Sequence, residues 1–200
     1  KKVLYYPPLP SYFYLLTLSP VIAVHYVYSG LPPLDEYKDA IALNPSFIWI
    51  AARVLNALMG VGVIFITYLI TRKVTSSERA SLLAALFLAL SFYHLQLSQI
   101  VRHWMPASLL LYASWLAAVG IRTSDSKKPY FLSGLWAGLA GGVNTSSAVA
   151  VIPALFYHFA RRGDSFLKKV ASRRILLTLG LAAFIALVFV ALYPYGLTRG

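Results

Sequence analysis

Twelve of the eighteen Lys and Arg in this chain fall in three short clusters, residues 72–79, 122–128 and 161–174. Long apolar stretches lie between and beyond them. Residues 80–97, 104–121, 130–160 and 175–195 contain no Lys, Arg, Asp or Glu. A charge-free apolar segment of about 18 or more residues is a candidate bilayer span, and Lys and Arg collect in the loops on the cytoplasmic side. The expected fold is therefore all-α, a polytopic membrane bundle with its basic loops cytoplasmic, as in a multi-pass protein of the plasma membrane.

Composition agrees with this reading. A hydrophobic fraction of 59%, 12% charged residues and a mean hydropathy of +0.69 lie outside the range of an ordinary soluble domain. The net charge of +12 sits beside the spans, where insertion places it, so no nucleic-acid partner is expected. Without Cys there is no disulfide framework, thiol nucleophile or thiolate metal site. The opening KKVLYYPPLP is not a signal peptide, because Pro7, Pro8 and Pro10 interrupt any apolar core.

The clearest span is 47–71, about 37 Å of helix, with Ser46 as the expected N-cap and Arg72 and Lys73 at its cytoplasmic end. Residues 80–97 return to the outside, and 104–121 come back in from an interfacial Trp104 with Pro106 in the first turn. As one helix, 130–160 would run about 46 Å, too long for a core of roughly 30 Å. It would also place the most basic loop outside. The stretch Gly141-Gly142-Val143-Asn144-Thr145-Ser146-Ser147 supplies a break, so a hairpin of two short helices is expected. On its first helix Gly134, Gly138 and Gly142 repeat at the four-residue spacing of close helix packing. Residues 175–195 then cross outward. The first apolar segment, 11–28, admits two readings. It spans, with Lys1 and Lys2 inside, or it lies in the interface, as tyrosines at both its ends allow.

Few residues can do chemistry, and no HExxH, GxSxG, P-loop or Rossmann glycine pattern is present. The outer side offers Asp35, Glu36, Asp39, Arg53, His94, Arg102, His103 and Asn144. In the stretch 98–104, Arg102 suits bidentate phosphate binding and His103 suits a second donor or proton carrier; the plain alternative is an Arg reaching lipid headgroups. Arg53, inside its span, is expected to face protein or an aqueous cavity, pairing with ligand or with Asp39, and Asn56 shares its face. Pro32, Pro33 and Gly30 place Asp35 and Glu36 in a loop, a weak fallback as a catalytic dyad. His158 is expected as a helix-terminal surface group. His25 and His94 are expected to be packed or interfacial, since no carboxylate sits at ligand spacing.

Several of these pieces resemble the C-type, multi-span glycosyltransferases, the protein O-mannosyltransferases and aminoarabinose transferases with their prokaryotic relatives. Tyr6-Pro7-Pro8-Leu9 followed by Tyr12 resembles the Pro-Pro-Leu element after the first external loop. The run Arg53-Val54-Leu55-Asn56-Ala57-Leu58-Met59-Gly60 resembles the start of the next span. Residues 81–98 with Pro106 resemble the third span and the turn after it. Gly134-Leu135-Trp136-Ala137-Gly138-Leu139-Ala140 resembles the hairpin, and Tyr193-Pro194-Tyr195 a later Pro-Tyr element.

The resemblance implies an outer juxtamembrane helix for 11–28 and about six transmembrane helices. Residues 1–46 would form an external loop with that helix, and 47–200 the membrane domain, truncated at both ends. It further implies transfer of a sugar from a polyprenyl-phosphate carrier to an acceptor on the outer face, with inversion. The catalytic Asp of such enzymes precedes Pro-Pro-Leu, so the general base is expected upstream of Lys1. Donor phosphate would meet Arg102 and His103, with Lys1 or Lys2, while Tyr5, Tyr6, Tyr12, Arg53 and Asn144 would line the substrate path. No cofactor is called for, although the resemblance leaves room for a divalent cation. Two departures stand out: Trp104 where many relatives carry an acidic residue, and Asn144 where a Lys is common. The competing class is a transporter or lipid flippase without chemistry, which predicts polar groups near mid-bilayer and related halves. Only Ser91, Ser114 and Thr178 stand out as mid-span polar residues, and no internal repeat is evident.

Overall fold

In hydrocarbon no water is present to satisfy backbone N–H and C=O groups, so an apolar segment must close its hydrogen bonds on itself. In the computed structural model, which describes residues 9–124, 126–161, 170 and 172–191, every assigned element is accordingly a helix. They are α1 (Leu9–Tyr28), α2 (Leu34–Leu43), α3 (Ser46–Thr75), α4 (Glu78–Ala89), α5 (Phe92–Gln99), α6 (Trp104–Thr123) and α7 (Lys128–Val143). A 3₁₀ segment (Thr145–Val151), α8 (Ile152–Phe159) and α9 (Arg173–Ala191) follow. Among the described residues α3 and α6 are long and apolar enough to cross a bilayer, and the pair α4–α5 adds a third if it is one span. α1 is not among them.

The C-terminal ends of α3, α6 and α8 and the N-terminal ends of α7 and α9 meet in one apolar cluster. Ile70, Ala118, Ile121, Tyr130, Ala154, Tyr157 and Ile175 belong to it. Arg72, Lys73, Arg122, Lys128, Arg173 and Arg174, at these helix ends, therefore gather at one end of the bundle. α7 lies between α6 and α9, and its glycines explain how closely. A Cβ at Gly134 would stand 2.7 Å from the Thr178 carbonyl oxygen, and one at Gly138 would stand 2.8 Å from Ile185 Cβ. Only glycine leaves room for α9 at that distance, so the four-residue repeat is a packing seam, as expected. Across the other side of α7, Ser114 bonds Ser133 and the Ala150 carbonyl at 2.9 to 3.1 Å.

Four features depart from the sequence expectations. The span expected over 80–97 is broken: α4 ends at Ala89, and α5 leaves at an angle of 59°. Ser91 makes the break, because its hydroxyl accepts from His94 N and restarts the helix as an N-cap. Asp35 and Glu36 lie in the first turn of α2 rather than in a loop, where their charges favour the helix dipole. Ser46 is inside α3, and the Asn44 side chain accepts from its N–H at 3.3 Å. His158 is buried, its Nδ1 2.7 Å from the Tyr130 hydroxyl, because α8 folds back across α6 and α7 instead of ending in solvent.

Candidate functional site

At the end of the bundle opposite the basic turns, α3 buries Ala52, Asn56, Met59, Gly60 and Val63 at helical spacing. Gly60 admits α5 closely: a Cβ there would lie 2.9 Å from Ser98 Cβ. Beyond α5 the chain runs through Ile100, Val101 and Arg102 without helix before His103 caps α6, so the Ile100 and Arg102 carbonyls lie outside the helical ladders. Asn56, fully buried, fills part of that need. Its Nδ2 donates to the Ile100 carbonyl, and its Oδ1 accepts from the Tyr14 hydroxyl at 2.5 Å. The same hydroxyl lies 3.3 Å from the Arg102 carbonyl oxygen. Turning the amide over would set oxygen against oxygen at Ile100, so the network itself fixes the orientation of Asn56.

Above this network the Arg102 side chain is exposed, while His103 is buried against Trp104 with ring centroids 4.4 Å apart. Burial, and then the neighbouring Arg102 charge, hold the His103 imidazole below its ordinary value, so it is neutral at neutral pH. Burial pushes the Tyr14 hydroxyl up to about 12, against a smaller opposing effect of its bond to Asn56. It stays a proton donor throughout the physiological range.

An apolar cavity of about 250 Å³ opens beside the loop, lined by Phe13, Met59, Pro106, Leu110, Trp136 and Val143 among others. Phe13 adjoins Tyr14, Met59 lies one turn beyond Asn56, and Pro106 begins the helix that follows the loop. The cavity is thus lined by chain neighbours of Tyr14, Asn56 and the loop, not by the loop residues themselves. A larger recess of about 680 Å³ lies between α1, α2 and the start of α3, bordered by Glu36, Tyr37, Asn44 and Phe47. There His25 stacks on Phe47 at 3.8 Å, and its Nδ1 lies 3.0 Å from the Tyr37 hydroxyl.

The candidate residues from the sequence are dispersed around these features. Lys1, Lys2, Tyr5, Tyr6 and Tyr193-Pro194-Tyr195 lie outside the described residues. Tyr12 is exposed on α1. Arg53 is exposed on α3 and, among the described residues, forms no ion pair with Asp39. Asn56 shows that three residues along a helix is not the same face here: it is buried while Arg53 is not. Asn144 is buried and caps the 3₁₀ segment, accepting from Ser146 N at 3.3 Å. Asp35 pairs with Lys38 at 3.0 Å, and Glu36 is exposed at the larger recess. No cluster of three or more His, Cys, Asp or Glu suited to a metal occurs among the described residues. Tyr14 and the bonding of Asn56 were missed. The available signal was an Asn inside an otherwise apolar helix, four residues before a glycine.

A family model described as dolichyl-phosphate-mannose-protein mannosyltransferase matches residues 46–193, from the first turn of α3 past the end of α9. The chain belongs to this family. It is a membrane glycosyltransferase with a polyprenyl-type phosphate-linked sugar as donor. Among curated proteins and solved structures, none matches the chain.

Proposed function

We propose that this protein transfers a sugar from its polyprenyl-phosphate donor to an acceptor hydroxyl on the outer membrane face, with the donor phosphate at Arg102 and His103. The observation that carries the reading is the exposed Arg102 side chain in the loop that leads into α6, whose first turn, at Pro106, lines the apolar cavity. At about 250 Å³ the cavity lies just below the size of a whole small-molecule site, so it suits the first units of a long isoprenoid rather than the entire chain. In the transfer the acceptor oxygen bonds to the anomeric carbon, and the bond from that carbon to phosphate oxygen breaks. The acceptor proton passes to a general base, and the polyprenyl phosphate departs with added negative charge. Arg102 offsets that charge, and neutral His103 donates its N–H to it. In this arrangement α1 and α2 belong to the outer segment and the membrane bundle begins with α3. Transport without chemistry has less support, because Ser114 and Thr178 spend their hydroxyls on neighbouring backbone carbonyls.

The test of the donor site is binding of a polyprenyl phosphate to Arg102→Ala and Arg102→Lys. Both lose bidentate geometry, but only Ala loses the charge. Loss of a charge-assisted contact corresponds to roughly 10- to 100-fold weaker binding for Ala, with Lys intermediate. Near-native binding by both variants would falsify the assignment. Orientation is tested separately: Ser29 and Ser146 are exposed away from the basic turns, Ser76 and Ser126 at them. Cysteines at the first two should label with an impermeant thiol reagent from outside, and those at the second two should not. Labelling of position 126 from outside would reverse the topology.

A further inference from the structure

The pair of half-buried Tyr14 and fully buried Asn56 is not used by the chemistry above, yet it contacts the backbone of the loop at two points. Helix packing alone does not account for it. Both contacted acceptors, the carbonyls of Ile100 and Arg102, belong to the non-helical stretch. An apolar residue at either position would fill space and leave those carbonyls short of donors. The three segments joined are far apart in sequence. Asn56 is 42 residues from Tyr14 and 44 from Ile100. The Tyr14 hydroxyl carries a single proton, so it serves either Asn56 Oδ1 at 2.5 Å or the Arg102 carbonyl at 3.3 Å, with the shorter bond favoured.

We infer that Tyr14 and Asn56 are positioning residues, which set the backbone of Ile100–His103 so that the Arg102 side chain meets the donor phosphate, and that α1 thereby governs donor affinity. This rests on the reading of Arg102 as a phosphate contact. Asn56 anchors the start of the loop through Ile100, and Tyr14 ties that anchor to α1. The side chain that emerges between the anchored Ile100 carbonyl and buried His103 has its starting direction determined before any ligand arrives. Preorganisation of this kind improves affinity by lowering the cost of ordering the loop on binding.

The experiment measures polyprenyl-phosphate binding and donor KM on the full-length protein in four forms: wild type, Tyr14→Phe, Arg102→Ala and the double variant. Tyr14→Phe keeps the ring and removes one proton donor. It should weaken binding about 3- to 10-fold, the range for one net hydrogen bond. Donor KM should rise by more than kcat falls. In the Arg102→Ala background the same change should have almost no further effect, because the residue through which Tyr14 acts is already gone. Asn56→Leu, checked by melting temperature for intact folding, should reproduce the Tyr14→Phe pattern with a larger loss. Should Tyr14→Phe cost the same factor with and without Arg102, positioning through Arg102 is overturned while the phosphate site stands. If Arg102→Ala itself leaves binding unchanged, the phosphate site fails first, and the inference falls with it.

Discussion

The two ends of the bundle are held together by different forces. At the basic end helices meet mainly through carbon and small residues: Ala118, Ile121 and Ala154 are fully buried, and the glycines of α7 let α9 approach to van der Waals contact, with the Tyr130–His158 and Thr178–Tyr130 hydrogen bonds set among them. At the opposite end the buried residues include Asn56, His94, Ser98, His103 and Asn144, and single hydrogen bonds hold the loop and the turn. Within hydrocarbon the first arrangement is the sturdier, since close packing between helices distributes its energy over many contacts. The second depends on individual atoms. It gives a defined shape to non-helical backbone, which packing alone does not provide. A scaffold and a site are thus distinguishable in one small chain by what their buried atoms are.

The largest expected effect breaks the packed seam. Gly134→Ala would place its Cβ 2.7 Å from a backbone oxygen of α9, which cannot swing aside as a flexible side chain would. Overpacking of this type costs about 1–3 kcal/mol. Gly180, on α9 with nothing within 4 Å of its added Cβ, is the control. There Ala should be neutral or stabilising by up to about 1 kcal/mol. Thermal unfolding of the purified protein compares them, and equal melting temperatures for the two variants would remove the distinction between seam and surface.

A smaller effect sharpens the other side of the comparison. Because burial depresses the folded pKa of His103 below 6.5, the unfolded chain binds more protons as pH falls through that value. The contribution of His103 to stability is complete above pH 6.5 and is lost from there down toward its depressed pKa. The melting temperature should fall on acidification from pH 7 to 5, and His103→Gln should reduce that slope. Superimposable pH profiles for wild type and variant would show that His103 is not buried as described.

Much of the packed half was legible in the sequence. Charge-free stretches between basic clusters gave the helical membrane class, and the Gly134, Gly138 and Gly142 repeat gave its closest contact. The break near Asn144 was likewise visible, because local composition determines it. The polar end was less legible for a physical reason. Asn56 has its partners more than 40 residues away on either side, and at the basic end the same holds for His158, which is paired with a tyrosine 28 residues earlier. No local pattern encodes those pairings. The bend at Ser91 is intermediate: a serine at that position can cap or simply point outward, and only the fold decides.

The bend also bears on the thickness of the surrounding bilayer. α4 has 12 residues and α5 has 8, with 59° between them. At 1.5 Å per residue, α4 rises about 18 Å, and the tilted α5 adds only about 6 Å along the same axis. With α4 along the bilayer normal, the two helices therefore supply about 24 Å, apart from the connecting Leu90 and Ser91, against a hydrocarbon core of about 30 Å. Lipid beside it meets the mismatch by thinning locally or by letting flanking side chains snorkel. Since α5 leads directly into the Arg102 loop, a carrier phosphate bound there, as we propose, would sit deeper than the mean headgroup plane. Bilayers of shorter acyl chains should then suit this face of the protein better than thick ones.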